Sequence, residues 1–207
     1  MSKKNKPVSM VTPVGKAVYP KLVEPDTAFN DVGEYKCRLH VSSKDYKAFR
    51  KELDPLVTAA YNAEVEAQGG KDVRKAPTEP VRITEEGDFE INAKQKAKVV
   101  TRSGETLEFT VALFDSQAKP ITDRPRIGSG SQIRLSVTFN PWFVPSSGWG
   151  YTLRLREAQI IELIEYSAAS STSFSKVDGG YETAAGGGES FNEVLTDEDE
   201  GKKVAPF

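Results

Sequence analysis

Several segments of this chain alternate apolar and polar residues with a period of two, and this pattern limits the possible folds most. In residues 33–41, the apolar face carries Tyr35, Cys37, Leu39 and Val41. Similar alternation recurs in residues 89–98, 106–115, 132–140 and 151–156. Such alternation indicates strands that are buried on one face only. A chain with several strands of this kind is expected to form a small sandwich or barrel.

One region has a helical period instead. Apolar residues recur three or four positions apart between Tyr46 and Tyr61, which predicts an amphipathic helix. Pro55 follows Asp54 within this stretch, so we expect two helical pieces or one kinked helix. Five or six strands with one helix fit the oligonucleotide/oligosaccharide-binding barrel, or OB-fold, best. The expected class is therefore mainly β, a five-stranded antiparallel barrel with one helical insertion.

Charge and composition divide the chain into three parts. Residues 167–207 hold eight acidic and three basic residues, whereas residues 1–166 hold 22 acidic and 25 basic residues. The last segment is also rich in Ser, Ala, Thr and Gly, which cannot build a core. We expect a flexible basic arm at residues 1–13, an OB-fold domain at residues 14–166, and a disordered acidic tail at residues 167–207. The charge asymmetry favours a body that binds a polyanion.

The residues give little support to catalysis. His40 is the single histidine and lies on a polar strand face, with no serine or cysteine motif that it could activate. Cys37 lies on the predicted inner face and cannot form an internal disulfide. Residues 128–130 resemble a phosphate loop only superficially, because no Lys-Ser/Thr pair follows. The sequence predicts no enzyme, no cofactor and no metal site.

The cations of the predicted strands suggest a nucleic-acid interface. Lys94, Lys96 and Lys98 alternate with apolar or neutral residues, about 6.6 Å apart on one face, close to the phosphate spacing of an extended strand. Outward positions on other strands add further cations. The predicted phosphate-binding set is Lys36, Arg38, Lys94, Lys96, Lys98, Arg134, Arg154 and Arg156. Charged residues also blunt sheet edges, so the set could be merely structural.

A loop predicted at residues 141–150 is rich in aromatic side chains. Bases of a single strand can stack on such rings without sequence preference. The predicted stacking residues are Trp142, Phe143, Trp149 and Tyr151, of which one is expected to plug the end of the barrel instead.

The order of several short motifs resembles the single-stranded DNA-binding proteins of tailed bacteriophages. The motifs are residues 12–17 (TPVGKA), 25–26 (PD), 33–36 (GEYK), 114–120 (FDSQAKP), 125–135 (PRIGSGSQIRL) and 153–160 (LRLREAQI), followed by an acidic tail that ends in Phe207. The resemblance implies an OB-fold that coats single-stranded DNA in replication, recombination and repair and promotes annealing. It leaves a homodimer open.

The resemblance also implies a role for the tail. In this family, the acidic tail and its last aromatic residue contact the DNA polymerase and the helicase-primase. The matching positions here are Asp197, Glu198, Asp199, Glu200 and Phe207. In this chain Lys202 and Lys203 separate the acidic run from Phe207, which departs from the family pattern.

Two other functions remain open at this point. The same cations and aromatics would serve an RNA-binding or RNA-chaperone OB protein. A structural β-protein of a virion would use the tail only as a solubiliser. The basic N-terminus is not followed by an apolar segment, and no run of eighteen apolar residues occurs. We therefore expect a cytoplasmic protein, in the host cell if it is viral, without a membrane partner.

Overall fold

The computed structural model describes residues 7–28 and 31–165. In chain order the elements are β1 (Val8–Val11), β2 (Gly15–Asp26), β3 (Glu34–Val41), α1 (Ser43–Ala67), β4 (Val81–Ile83), β5 (Phe89–Lys96), β6 (Lys98–Val100), β7 (Thr106–Glu108), β8 (Ala112–Phe114), β9 (Gln132–Val144) and β10 (Gly148–Glu162). Residues 106–115, predicted as one strand, contain the two short strands β7 and β8. In the described part of the chain, no helix is both long and apolar enough to cross a membrane.

Five strands close into a barrel in the order β2, β3, β5, β10 and β9, because β9 pairs with both β10 and β2. This order is that of an OB-fold, which confirms the predicted class with its single helical insertion between β3 and β5. The prediction of a wholly antiparallel barrel was wrong at one seam. β5 and β10 run parallel, with Leu153 opposite Ala93 and Arg154 opposite Lys94.

Short strands extend the sheet beyond the barrel. β1 pairs antiparallel with β9, β8 pairs parallel with β10, and β4 pairs antiparallel with β5. The strand β1 corrects the expectation of a flexible arm over residues 1–13. Met10 lies inward from β1 and is buried in the core, which fixes this segment against β9. Residues 1–6 of the expected arm lie outside the described residues.

The helix α1 is a single element that contains Pro55. It begins after Ser42, whose hydroxyl accepts a hydrogen bond from the Asp45 amide at 3.2 Å. Its buried residues are Tyr46, Phe49 and Leu53, which belong to the predicted apolar stripe. The ring of Tyr46 stacks on Phe89 of β5 with centroids 3.9 Å apart, so the helix is anchored to the barrel.

The inward positions of the alternating strands form the core. Cys37 and Leu39 of β3, Ile91 and Ala93 of β5, and Leu153 of β10 are fully buried. Burial raises the pKa of the Cys37 thiol to about 12, so it remains a neutral, apolar group at ordinary pH. The period-two pattern therefore assigns the two faces of these strands correctly, and the outward face is left for polar side chains.

The predicted loop at residues 141–150 is largely an extended hairpin. β9 and β10 continue pairing to Val144 and Gly148, with Trp142 opposite Gly150 and Phe143 opposite Trp149. The amide of Ser147 donates to the carbonyl of Val144 at 3.0 Å and closes a tight turn. The aromatic residues of this region are therefore held on strands, whose alternation decides which of them face outward.

Candidate nucleic-acid interface

A row of four cations crosses the outer face of the barrel. Lys21 of β2 lies opposite Lys36 of β3, Lys36 lies opposite Lys94 of β5, and Lys94 lies opposite Arg154 of β10. Paired residues on adjacent strands project from the same face. At the usual strand spacing, the row spans about 14 Å. We call Lys21, Lys36, Lys94 and Arg154 the cationic row.

Three further predicted cations lie next to this row. Lys96 and Arg156 are exposed and continue the outward face two residues beyond Lys94 and Arg154 on the parallel strands β5 and β10. Arg38 lies two residues beyond Lys36 on β3 and is also exposed. The structure therefore brings Lys36, Arg38, Lys94, Lys96, Arg154 and Arg156 onto one continuous surface.

Two carboxylates partly balance the row. Asp26 forms an ion pair with Lys36 at 2.5 Å, and Glu34 lies 3.7 Å from Lys94. The hydrogen bond from Lys36, together with one from the Ala28 amide, lowers the pKa of Asp26 below its ordinary value. Both pairs lie at least partly in solvent, where an incoming phosphate can replace a carboxylate at little cost.

Glu90 lies beside Arg38 and contacts several basic side chains. Its side chain is only 9% exposed and accepts from Arg82 at 2.7 Å, with the His40 ring nitrogen at 3.1 Å and the Arg38 guanidinium at 4.0 Å. A buried carboxylate is stable when several cations surround it. His40 thus contacts the Glu90 carboxylate within this cluster and is not a plain exposed strand position.

Two predicted phosphate ligands lie elsewhere. Lys98 belongs to the separate β6–β7 ribbon and pairs with Glu108 at 2.9 Å. Arg134 lies on β9, four residues from Thr138, which is the residue opposite Arg154. Its Nε donates to Gln159 at 2.5 Å, and Gln159 in turn donates to the Asp115 carbonyl at 2.9 Å. Neither residue joins the cationic row.

The aromatic predictions divide into two pairs. Trp149 and Tyr151 are 4% and 7% exposed, so the expectation that they offer ring faces to bases was wrong for this structure. Trp149 meets Tyr61 of α1 edge-on at 5.3 Å, and Tyr151 packs against Phe139 at the same centroid distance. Burial also raises the pKa of Tyr151. These rings close the barrel under the helix.

The other pair remains at the surface of the hairpin. Trp142 and Phe143 are partly exposed. A Cβ added at Gly150 would lie 2.6 Å from the Trp142 ring, so the absence of a side chain there lets the indole lie directly on the neighbouring strand. Phe143 packs against the edge of the core. Trp142 thus keeps a fixed orientation while part of its ring faces solvent.

Sequence reasoning missed two residues of this surface, one within the row and one beside it. Lys21 completes the row on β2, but a register shift between Val18 and Lys21 hides its alignment with Lys36. Tyr19 lies within the same irregularity and is 71% exposed. The Tyr-Pro pair inside a strand-like segment was the available signal, because proline inside a strand often marks a bulge. The tail positions Asp197, Glu198, Asp199, Glu200 and Phe207 lie outside the described residues.

The fold is similar to those of solved phage proteins. One is gp2.5, a single-stranded DNA-binding protein encoded by bacteriophage T7, with a TM-score of 0.67 and 23% identity, covering 84% of this chain and 100% of that chain. Another is the single-stranded DNA-binding protein from bacteriophage Enc34 in complex with ssDNA, with a TM-score of 0.53 and 14% identity, covering 76% of this chain and 88% of that chain.

A C-terminal truncation of the Enc34 protein gives a TM-score of 0.54 at 12% identity, covering 76% of this chain and 87% of that chain. No family model and no curated protein matches the chain. The structural likenesses confirm the predicted resemblance to phage single-stranded DNA-binding proteins at the level of the fold.

Proposed function

We propose that this chain is a single-stranded DNA-binding protein whose outer barrel surface holds the DNA backbone. The observation that carries the proposal is the cationic row, four aligned positive side chains on four adjacent strands. Electrostatic contact with phosphates gives affinity without sequence preference. The surface lies on the second and third barrel strands, β3 and β5, which is the usual ligand face of an OB-fold.

Similar folds support this proposal. The solved proteins described above are single-stranded DNA-binding proteins, and one of them was solved with its ssDNA. In the present chain, the cationic row and its neighbours Arg38, Lys96 and Arg156 would bind phosphates. Trp142 and Phe143 on the β9–β10 hairpin would stack with bases of the part of the strand that extends beyond the row. No step of this function needs a catalytic group or a cofactor.

The finer role extends this binding activity. We propose that the protein coats and protects single-stranded DNA in phage replication, recombination and repair, and promotes annealing of complementary strands. The acidic tail, tethered to a basic surface, would compete with DNA at high effective concentration. Displacement of the tail would free Phe207 for a DNA polymerase or a helicase-primase. This role places the protein in the host cytoplasm and is compatible with a homodimer.

A titration of fluorescent oligo-dT at several salt concentrations tests the proposal. Neutralising two residues of the row, as Lys94→Gln with Arg154→Gln, should weaken binding several-fold at low salt. It should also reduce the slope of log affinity against log salt by roughly 1.4, about 0.7 for each lost phosphate contact. The matched control is Lys47→Gln with Lys51→Gln, which removes the same charge from the exposed face of α1.

Equal losses in the two double variants would show that net charge, rather than the row, controls affinity, and would overturn the proposed site. Absence of any oligo-dT binding by the unaltered full-length chain would overturn the function itself. The same titration with an RNA oligomer of matched length separates DNA binding from the RNA-binding alternative, since a site that reads the 2′-hydroxyl should prefer RNA.

A further inference from the structure

Tyr19 has an unusual backbone conformation and an unusually exposed ring. Its φ angle is +46°, although it is not a glycine and it precedes a proline, which normally favours extended backbone. The side chain is 71% exposed, so it buries little apolar area within the fold. The bulge at this point turns the ring away from the barrel. A conformation of this kind persists only when surrounding contacts hold it in place.

The turn at residues 128–131 (GSGS), directly before β9, holds this bulge in place. The amide of Tyr19 donates to the Ser129 hydroxyl at 3.0 Å. Two residues earlier, the Ala17 carbonyl accepts from the Gly130 amide at 2.8 Å, and the Ala17 amide donates to the Ser131 carbonyl at 2.9 Å. Gly130 itself has a φ of +96°. These hydrogen bonds from the turn therefore fix the backbone around Tyr19.

A groove of about 440 Å³ opens beside the ring. Its lining includes Tyr19, Pro20, Lys21, Val23, Arg126 and Ser129. The volume is within the range of about 300–1,000 Å³ that small-molecule sites occupy, so it has room for a nucleobase. The lining combines apolar residues such as Pro20 and Val23 with the polar residues Ser129 and Arg126. A base needs both kinds of surface.

A second strained residue lies in the segment before β9. Arg124 also precedes a proline and also has a φ of +46°. Its guanidinium donates to the carbonyls of Leu22 and Val111, each at 3.2 Å, and so ties β2 to the segment before β9. At the rim, Arg126 lies 3.5 Å from Glu24. These contacts connect β2 with the segment before β9, and residues of both line the groove.

The groove is continuous with the cationic row. Lys21 lines the groove and also forms the end of the row opposite Lys36. Tyr19 lies two residues from Lys21 in β2, both residues are exposed, and both line the groove. A DNA backbone that follows the row from Arg154 to Lys21 therefore arrives at the Tyr19 ring and at the mouth of the groove.

From this continuity we infer that Tyr19 stacks with a base of the bound strand and that the adjoining groove receives that base. The inference rests on the proposed function and adds a base-binding subsite to it. The phosphates next to this base lie on Lys21 and Lys36. Tyr19 is a binding residue, whereas Arg124 and Ser129 are positioning residues that hold β2 in the required conformation.

The test uses three substitutions of Tyr19 in the full-length chain. Tyr19→Ala should weaken oligo-dT binding by about 5- to 150-fold, the effect of losing one base–aromatic stack. Tyr19→Phe keeps the ring and should bind within about twofold of the unaltered protein. Tyr19→Gly removes both the ring and the backbone strain, so it should raise the melting temperature while weakening binding as much as Tyr19→Ala does.

An abasic oligomer of equal length separates stacking from phosphate contact. Tyr19→Ala and the unaltered chain should bind it equally, with equal salt slopes, whereas Lys94→Gln with Arg154→Gln should bind it more weakly. Equal affinity of Tyr19→Ala and the unaltered chain for oligo-dT would overturn the inference and leave the proposed function intact. Equal losses on both oligomers would also overturn it. Failure of the unaltered chain to bind either oligomer would instead overturn the proposed function.

Discussion

Lys36 and Lys94 lie directly opposite each other on β3 and β5, and each has a carboxylate at its side. Like charges in such a cross-strand pair repel, and Asp26 and Glu34 reduce that repulsion in the free protein. A phosphate that lies between the two lysines would take over the same role. The surface is therefore stable without DNA, and its two lysines can bind the phosphates of a polyanion.

The first prediction concerns Asp26. Asp26→Asn should strengthen oligo-dT binding several-fold at low salt, because it removes a carboxylate that competes with phosphate for Lys36. The effect should vanish at high salt, where charges are screened. Anisotropy titrations of both chains check this outcome, with Asp31→Asn as a control of equal charge at an exposed position. Equal gains in both variants would show a net-charge effect only.

Asp26 also gives a prediction for pH. Its pKa is lowered in the folded protein, chiefly by the hydrogen bond from Lys36, so its contribution to stability is present above the unfolded pKa and is lost as pH falls through the folded one. Bound phosphate engages Lys36 and adds negative charge. The pKa of Asp26 should therefore rise on binding, with uptake of protons in the acidic range. NMR titration of the Asp26 carboxyl with and without oligo-dT measures this shift, and an unchanged pKa would contradict it.

The two tryptophans should respond in opposite ways. Trp149→Ala removes a buried ring that contacts Tyr61 and should lower the free energy of unfolding by about 3–5 kcal/mol. Trp142→Ala alters a partly exposed ring and should cost about 1 kcal/mol or less. By contrast, Trp142→Ala should weaken oligo-dT binding by about fivefold or more. Urea unfolding and DNA titration of each variant check the pair, and a large loss of stability in Trp142→Ala would contradict it.

Two glycines test how closely the hairpin packs on the segment after the helix. Gly148 and Gly104 both have positive φ angles, +95° and +85°. A Cβ at Gly148 would lie 2.3 Å from the Arg74 carbonyl oxygen, whereas a Cβ at Gly104 meets nothing within 4 Å. Gly104→Ala should therefore cost only the backbone strain, about 1–2 kcal/mol. Gly148→Ala should cost about 1–3 kcal/mol more. Similar costs in thermal or urea unfolding would contradict this contact.

The last prediction concerns the tail. Deletion of residues 167–207 removes a net charge of −5 and should strengthen oligo-dT binding at low salt, with little effect at high salt. A second variant, in which Asp197, Glu198, Asp199 and Glu200 become Asn or Gln, keeps the length and should reproduce most of the gain. Unchanged affinity in both variants at low salt would contradict tail competition.

Period-two alternation was sufficient to predict which faces of β3 and β5 are buried, because every second side chain of a strand shares a face. It placed Cys37 and Leu39 inside and Lys36 and Lys94 outside. It could not give the order of the strands, since pairing depends on contacts far apart in the chain. The parallel seam between β5 and β10 was missed for that reason.

The composition of the candidate site also depends on contacts between residues far apart in the chain. The predictions from sequence grouped Arg134 with the other cations and placed Trp149 and Tyr151 among the stacking residues. They used only residue type and local alternation. In the closed barrel, Arg134 donates a hydrogen bond to Gln159, and Tyr61 of α1 packs against Trp149. A bulge in β2, fixed by the turn before β9, aligns Lys21 and exposes Tyr19. The alternation in the sequence thus determined a β-barrel with a charged outer face. Only the tertiary structure decided which charges and rings meet, because register and closure are set by distant strands.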